Sequence, residues 1–163
     1  MADAGPLIAL SWIDRLDLLG LLFDEVLVPA GVQAEVLRPG DHIPGVTALR
    51  AAFGTGGLQV RAVRCGAPLM ELRARLDRGE AEALALLLRE RVGLLLSDDR
   101  LARREAVRRG VSVVGTVGLL RQARVLNLIP AAYPTLLDLR RYGFWVSDLL
   151  LEQIRVEEAG PVP

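Results

Sequence analysis

The stretch Gly79–Gly110, GEAEALALLLRERVGLLLSDDRLARREAVRRG, constrains the fold more than any other part of the chain. Asp77-Arg78-Gly79-Glu80 starts a helix that the spacing extends to about Arg91. Leu94–Leu96 reads as a short buried strand, and Asp98-Asp99 follow it directly. Asp99–Arg109 then reads as an arginine-loaded helix, ended by Gly110 in a C-cap position. Val111–Val114 is a second β-branched strand. Helix, strand, helix, strand in this order points to an α/β fold with a mainly parallel sheet.

The rest of the chain continues the alternation. Leu7–Leu19 has helical spacing, with Pro6 suited to the first turn. Leu22–Val28 reads as a strand closed by Pro29, and Ala30–Leu37 as a short helix carrying Glu35. Pro39–Gly45 is a loop, Val46–Phe53 a helix, and Leu58–Val63 an exposed or edge strand. Pro68–Leu76 is helical. Beyond Val114, helices are expected at Val117–Val125, Thr135–Tyr142 and Ser147–Glu158, with Pro130 and Pro134 punctuating the tail. Neither a repeat nor a linker interrupts the 163 residues, so one domain over 1–163 is expected. The architecture expected is a three-layer sandwich, with a mainly parallel central sheet flanked by helices. In such folds ligands sit at the carboxyl ends of the strands. Asp3, after the first possible strand, and Asp98-Asp99 share that edge.

Composition narrows the chemistry. No apolar run reaches the roughly 18–20 residues of a membrane span, and the N-terminus has no secretory signal pattern. A single cysteine, Cys65, cannot form an internal disulfide, which suits a reducing, cytoplasmic compartment. A single histidine, His42, in a Pro/Gly-rich loop, argues against histidine-dependent hydrolysis and zinc. The chain also lacks the glycine loops of nucleotide-cofactor sites. Net charge is zero and every basic residue is arginine, with five of 20 between Arg100 and Arg109. Arg100, Arg103 and Arg104 lie on neighbouring positions beside the acids and could contact phosphate, although a solvated face paired with Glu105 is the plainer reading.

Carboxylates gathered at one sheet edge repel one another unless something compensates. A hard divalent cation, Mg2+ or Mn2+, prefers oxygen ligands and fits such a cluster. Beside phosphate, one or two such ions can activate water and stabilise a leaving oxygen.

The order Asp3, Glu35, Glu80 and Asp98-Asp99 resembles the acidic set of PIN-domain nucleases, in a prokaryotic branch related to VapC-type toxins. The resembling blocks are Asp3-Ala4-Gly5-Pro6-Leu7-Ile8, Val32-Gln33-Ala34-Glu35-Val36, Gly79–Ala83, Asp98–Arg103, Gly115–Leu120 and Leu139–Phe144. They span about residues 3–159. The resemblance implies metal-dependent phosphodiester cleavage, most often of RNA, with Asp3, Glu35, Glu80 and the Asp98-Asp99 pair holding metal and orienting water. Asp99 is the first choice of the pair, because Ser97-Asp98-Asp99 resembles the family's Thr-x-Asp. A toxin of a toxin–antitoxin pair is the corresponding biological role, with an antitoxin protein or a second copy as possible partners.

Other roles compete for the same residues. Asp77-x-x-Glu80 is also a capping-box-like helix start, and Asp98-Asp99 or Asp3 could simply cap the helices that follow. Glu35 would ordinarily be a solvated surface residue. Glu82 lies about 200° around its helix from Glu80, so the two cannot serve one site equally; Glu82 is held in reserve. Phe144, Trp145 and Leu149–Leu151 could pack internally or form a partner surface. Gly5 stands where the family has serine, and only Met1 and Ala2 precede Asp3. These departures motivate an alternative: a catalytically impaired module that binds nucleic acid or a protein.

Overall fold

Three leucines in a row, Leu94–Leu96, form a strand because the chain on either side covers them. This is β3 in the structure, a computed structural model that describes residues 1–38, 44–64, 66–90 and 93–160. β3 pairs in parallel with β4 (Ser112–Val114), Leu95 opposite Val113. β1 (Leu27–Pro29) pairs in parallel with β2 (Gln59–Arg61), Val28 opposite Val60.

The residues before Asp3 join these two ladders. The Met1 ammonium donates to the Leu94 carbonyl at 3.0 Å, and Leu96 N–H donates to the Met1 carbonyl at 2.8 Å. On the other side, Ala2 N–H donates to the Leu27 carbonyl at 2.9 Å. Ala2 is bridged in parallel to Leu96. The order across the sheet is therefore β2, β1, residues 1–3, β3, β4. Asp3 N–H makes the last bond of the central segment, to the Leu96 carbonyl at 3.0 Å. That bond sets the Asp3 side chain at the carboxyl ends of β1 and β3.

The chain divides into two compact units, Met1–Thr116 and Val117–Pro163. The first contains α1 (Ala4–Trp12), α2 (Asp17–Leu22), α3 (Ala30–Val36), α4 (Val46–Gly54), α5 (Ala67–Arg73), α6 (Arg78–Glu90) and α7 (Arg100–Arg108). Its core gathers Leu69 and Leu72 from α5, Ala81, Leu84 and Leu87 from α6, Leu95 from β3 and Ala102 and Ala106 from α7. Each fully buried leucine contributes roughly 1.5–3 kcal/mol relative to exposure. The strong alternation of apolar and charged positions along α6 and α7 is what puts one face of each into this core.

The second unit contains α8 (Thr116–Val125, its first residue in the preceding unit), α9 (Ala132–Arg141) and α10 (Asp148–Ala159). Ser147 caps α10 by accepting Leu150 N–H at 3.3 Å. α9 has no cap of its own; Glu158 of α10 accepts Ala132 N–H at 2.5 Å and Tyr133 N–H at 3.1 Å.

Some boundaries differ from expectation, each for a local reason. The Leu7–Leu19 helix is two helices, because the chain breaks after Trp12 with Asp14 at a positive φ of 53°. Leu22 closes α2 rather than opening a strand, and β1 starts only at Leu27. α9 begins at Ala132, with Pro134 inside its first turn, because Glu158 supplies the missing cap. His42, Cys65, Arg91 and most of the loop expected over 39–45 lie outside the described residues.

Candidate functional site

Asp3 is the centre of the carboxyl-end cluster. It is the N-cap of α1, its Oδ1 accepting Ala4 N–H at 2.8 Å. Its Oδ2 accepts the Ser97 hydroxyl at 3.1 Å. The residue is 7% exposed. Burial pushes its pKa above the ordinary carboxylate range; the two hydrogen bonds oppose this, and the charges of Glu35 and Asp99 add to it.

Glu80 stands in the first turn of α6, half-buried. Its Oε2 accepts Asp77 N–H at 3.1 Å, so the capping arrangement is formed. Burial raises its pKa to about 7 against the Asp77 hydrogen bond, with the charges of Asp99, Asp3 and Asp77 adding to the effect. Asp99 caps α7, its Oδ1 accepting Leu101 N–H at 2.7 Å and Ala102 N–H at 2.8 Å. Oδ1 carries both bonds, which leaves Oδ2 as the oxygen available to a ligand.

Glu35 reaches the cluster through a close approach of α3 to α6. A Cβ at Gly79 would lie 3.1 Å from Val32 Cγ2, 3.2 Å from Glu35 Oε2 and 3.7 Å from Asp3 Oδ1. The bare glycine is therefore what lets the two carboxylates face the same point above α6. Asp3 thus feels the charges of Glu35 and Asp99, and Glu80 those of Asp99 and Asp3, from four separate segments.

The remaining predicted residues have other neighbours. Asp98 Oδ1 accepts Thr116 N–H at 2.8 Å, and its Oδ2 accepts the Thr116 hydroxyl at 2.5 Å. It ties the end of β3 to the first residue of the helix after β4. Glu82 is buried and accepts from Gly31 N–H at 3.1 Å, Arg73 at 3.0 Å and Arg78 at 2.9 Å, on the side of α6 away from Glu80. Arg103 is half-buried and donates to the Ser97 carbonyl at 3.2 Å, whereas Arg100 and Arg104 are exposed. Glu105 pairs with Arg109 and Arg108.

Ser97 was not among the expected site residues. Fully buried, it donates to Asp3 and accepts Asp99 N–H at 3.3 Å, so one hydroxyl links two of the acids. Its place before Asp98-Asp99 was the available signal. Thr116 lay in the Gly115–Leu120 block without a role attached.

The donor chemistry suits a hard cation: the set is all carboxylate oxygen, and its mutual repulsion is incompletely relieved by hydrogen bonds. Among the described residues, no group of three or more Asp, Glu, His or Cys side chains is arranged so that it could hold a metal ion. A Mg2+-type ion does not require such a group, since it binds through one or two carboxylates and keeps several waters.

A family model described as a PIN domain matches residues 1–159. No curated protein and no solved structure matches the chain. Among the described residues no helix is long and apolar enough to cross a membrane.

Proposed function

Because the chain belongs to the PIN-domain family, whose fold is of nuclease type and whose members are generally dependent on divalent metal, we propose that it hydrolyses phosphodiester bonds in RNA. Asp3, Glu35, Glu80 and Asp99 are the proposed metal-holding acids, with Mg2+ or Mn2+ as the ion. The single observation that carries this reading is the approach of the Asp3 and Glu35 carboxylates to the same point over Gly79, with the charges of Asp99 and Glu80 nearby, at the carboxyl ends of parallel strands. Bound there, the ion would supply charge compensation and a more acidic water.

The protein's own groups do the rest. Asp3 is held in one orientation by Ala4 N–H and Ser97. Asp99 is held through Oδ1 by the first turn of α7. Arg100, exposed and next to Asp99 in the chain, is the proposed phosphate contact, with Arg104 one turn on extending it. Arg103 supports the Ser97 carbonyl and is the weakest of the three as a nucleic-acid contact. Asp98 is assigned to holding Thr116, and remains second to Asp99 as a ligand. The fold reading that goes with this is one domain over 1–163, arranged as a three-layer sandwich; the family match across 1–159 supports the former. A VapC-type toxin paired with an antitoxin is the proposed cellular role, resting on the resemblance of the sequence blocks.

The test is cleavage of a single-stranded and a hairpin RNA with added Mn2+, comparing the parent with Asp3→Asn and Asp99→Asn. Loss in both variants, with the fold retained, supports the assignment. Equal cleavage by all three sinks it.

A second reading is favoured by one observation: Asp3, Glu80 and Asp99 each already spend oxygens on helix starts. On that reading the acids are structural, and the module binds nucleic acid or protein without cleaving. RNA binding that is unaffected by Mn2+ and by both Asn variants would select it.

A further inference from the structure

Glu82 is a buried carboxylate that the proposed chemistry does not use. Its three donors come from three places: Gly31 in the first turn of α3, Arg73 at the end of α5 and Arg78 at the start of α6. The Gly31 contact spans 51 residues of chain. A Cβ at Gly31 would collide with the Glu82 carboxylate, so the contact exists only because position 31 has no side chain.

The same two helices meet a second time one turn along. Gly31 and Glu35 are four residues apart and lie on one face of α3. Gly79 and Glu82 are three apart and lie on one face of α6. Gly31 rests on Glu82, while Glu35 rests on Gly79. Two close approaches, each needing a glycine, fix how far α3 can slide or turn on α6. Without Glu82 the Gly31 end of α3 loses its hydrogen bond to α6, and the approach of Val32 and Glu35 to Gly79 is left without that tie.

We propose that Glu82 is a positioning residue: by holding Gly31 N–H it sets the register of α3 on α6 and so presents Glu35 to the metal-binding cluster. This rests on the metal-dependent reading above. It also separates the two acids of the Glu80-Ala81-Glu82 segment, with Glu80 facing the cluster and Glu82 holding the helix that delivers Glu35.

The test measures Mn2+ affinity by calorimetry on the full chain, for the parent, Glu82→Ala, Glu35→Gln and the double variant. Far-ultraviolet circular dichroism and thermal melts establish that each is folded. Losing an outer partner of a ligand weakens metal binding by roughly 10–100-fold, so Glu82→Ala should lose about tenfold or more. In the Glu35→Gln background Glu82→Ala should have little further effect, because it acts through Glu35. Gly31→Ala, which expels the carboxylate from the other side, should reproduce the loss, and serves if Glu82→Ala does not fold. Unchanged affinity in Glu82→Ala, or a loss that simply adds to that of Glu35→Gln, overturns the positioning role alone. A parent with no Mn2+ affinity overturns the metal-dependent reading itself, and this role with it.

Discussion

The Ser97 hydroxyl donates to Asp3 Oδ2 at 3.1 Å across 94 residues of chain. The bond stabilises the ionised form of a carboxylate that burial and its neighbours otherwise push toward the neutral one. Removing it in Ser97→Ala should raise the proton affinity of Asp3 further. It should also cost about 1 kcal/mol of stability, the usual net worth of one hydrogen bond. Mn2+ affinity should fall by roughly tenfold, as for other outer partners of ligands. Ser97→Thr keeps the hydroxyl and should lose less, measured by calorimetry on the same preparations.

Glu80 sets the expected pH dependence. With its pKa at about 7, a metal ion must displace a proton from it below neutrality, so Mn2+ affinity should climb between pH 5.5 and 8.5 (about one and a half units either side of that value) and then level off. Glu80→Gln should flatten that climb.

The same group makes an opposite prediction for stability without metal. Between its ordinary value of 4.5 and its folded value of about 7, the unfolded chain has released a proton that the folded chain keeps. The folded state then binds more protons, and stability falls as pH rises through this window. Glu80→Gln should remove that part of the fall. Thermal melts of both proteins in chelator at pH 5 and pH 8 give the comparison; an equal fall in the two would count against it.

Asp98 and Asp99 should separate by what their asparagine variants do. Asparagine caps a helix as well as aspartate does, so Asp99→Asn should keep α7 and stability while losing Mn2+ affinity. Asp98 accepts two bonds from Thr116, N–H and hydroxyl. Asp98→Asn leaves one of its two polar atoms a donor, so about 1–3 kcal/mol of stability should go. Denaturant midpoints and Mn2+ titrations together distinguish the two losses.

Gly5 has room for a side chain. A Cβ there would lie 3.9 Å from both Asp98 Cβ and Asp98 Oδ2, an ordinary contact on an exposed position. Gly5→Ser should therefore change stability by no more than about 0.5 kcal/mol. If the absent hydroxyl limits metal or substrate binding, the variant should bind Mn2+ or RNA more tightly than the parent.

Much of this was legible along the chain. β3 coincides with the Leu94–Leu96 run, and α7 with the helix after Asp99, because apolar patterning and capping act within a few residues. The Asp77–Glu80 cap formed for the same reason. The strand expected from Leu22 did not, since Leu22 closes the helix that begins at Asp17. Trp145, left open between core and surface, is 83% exposed.

What the amino-acid order determined by itself is the set of short strands, the caps and the supply of acids at their ends. Those depend on neighbours no more than a turn away. Only the tertiary structure decided that Met1 and Ala2 bridge β1 and β3, since they take their hydrogen bonds from Leu27, Leu94 and Leu96. It also divided the acids: Asp98 to Thr116, Glu82 to Gly31, and Asp3 and Glu35 to the same point over Gly79. A carboxylate takes whichever donor the returning chain brings to it, and that donor is set by how helices pack tens of residues away.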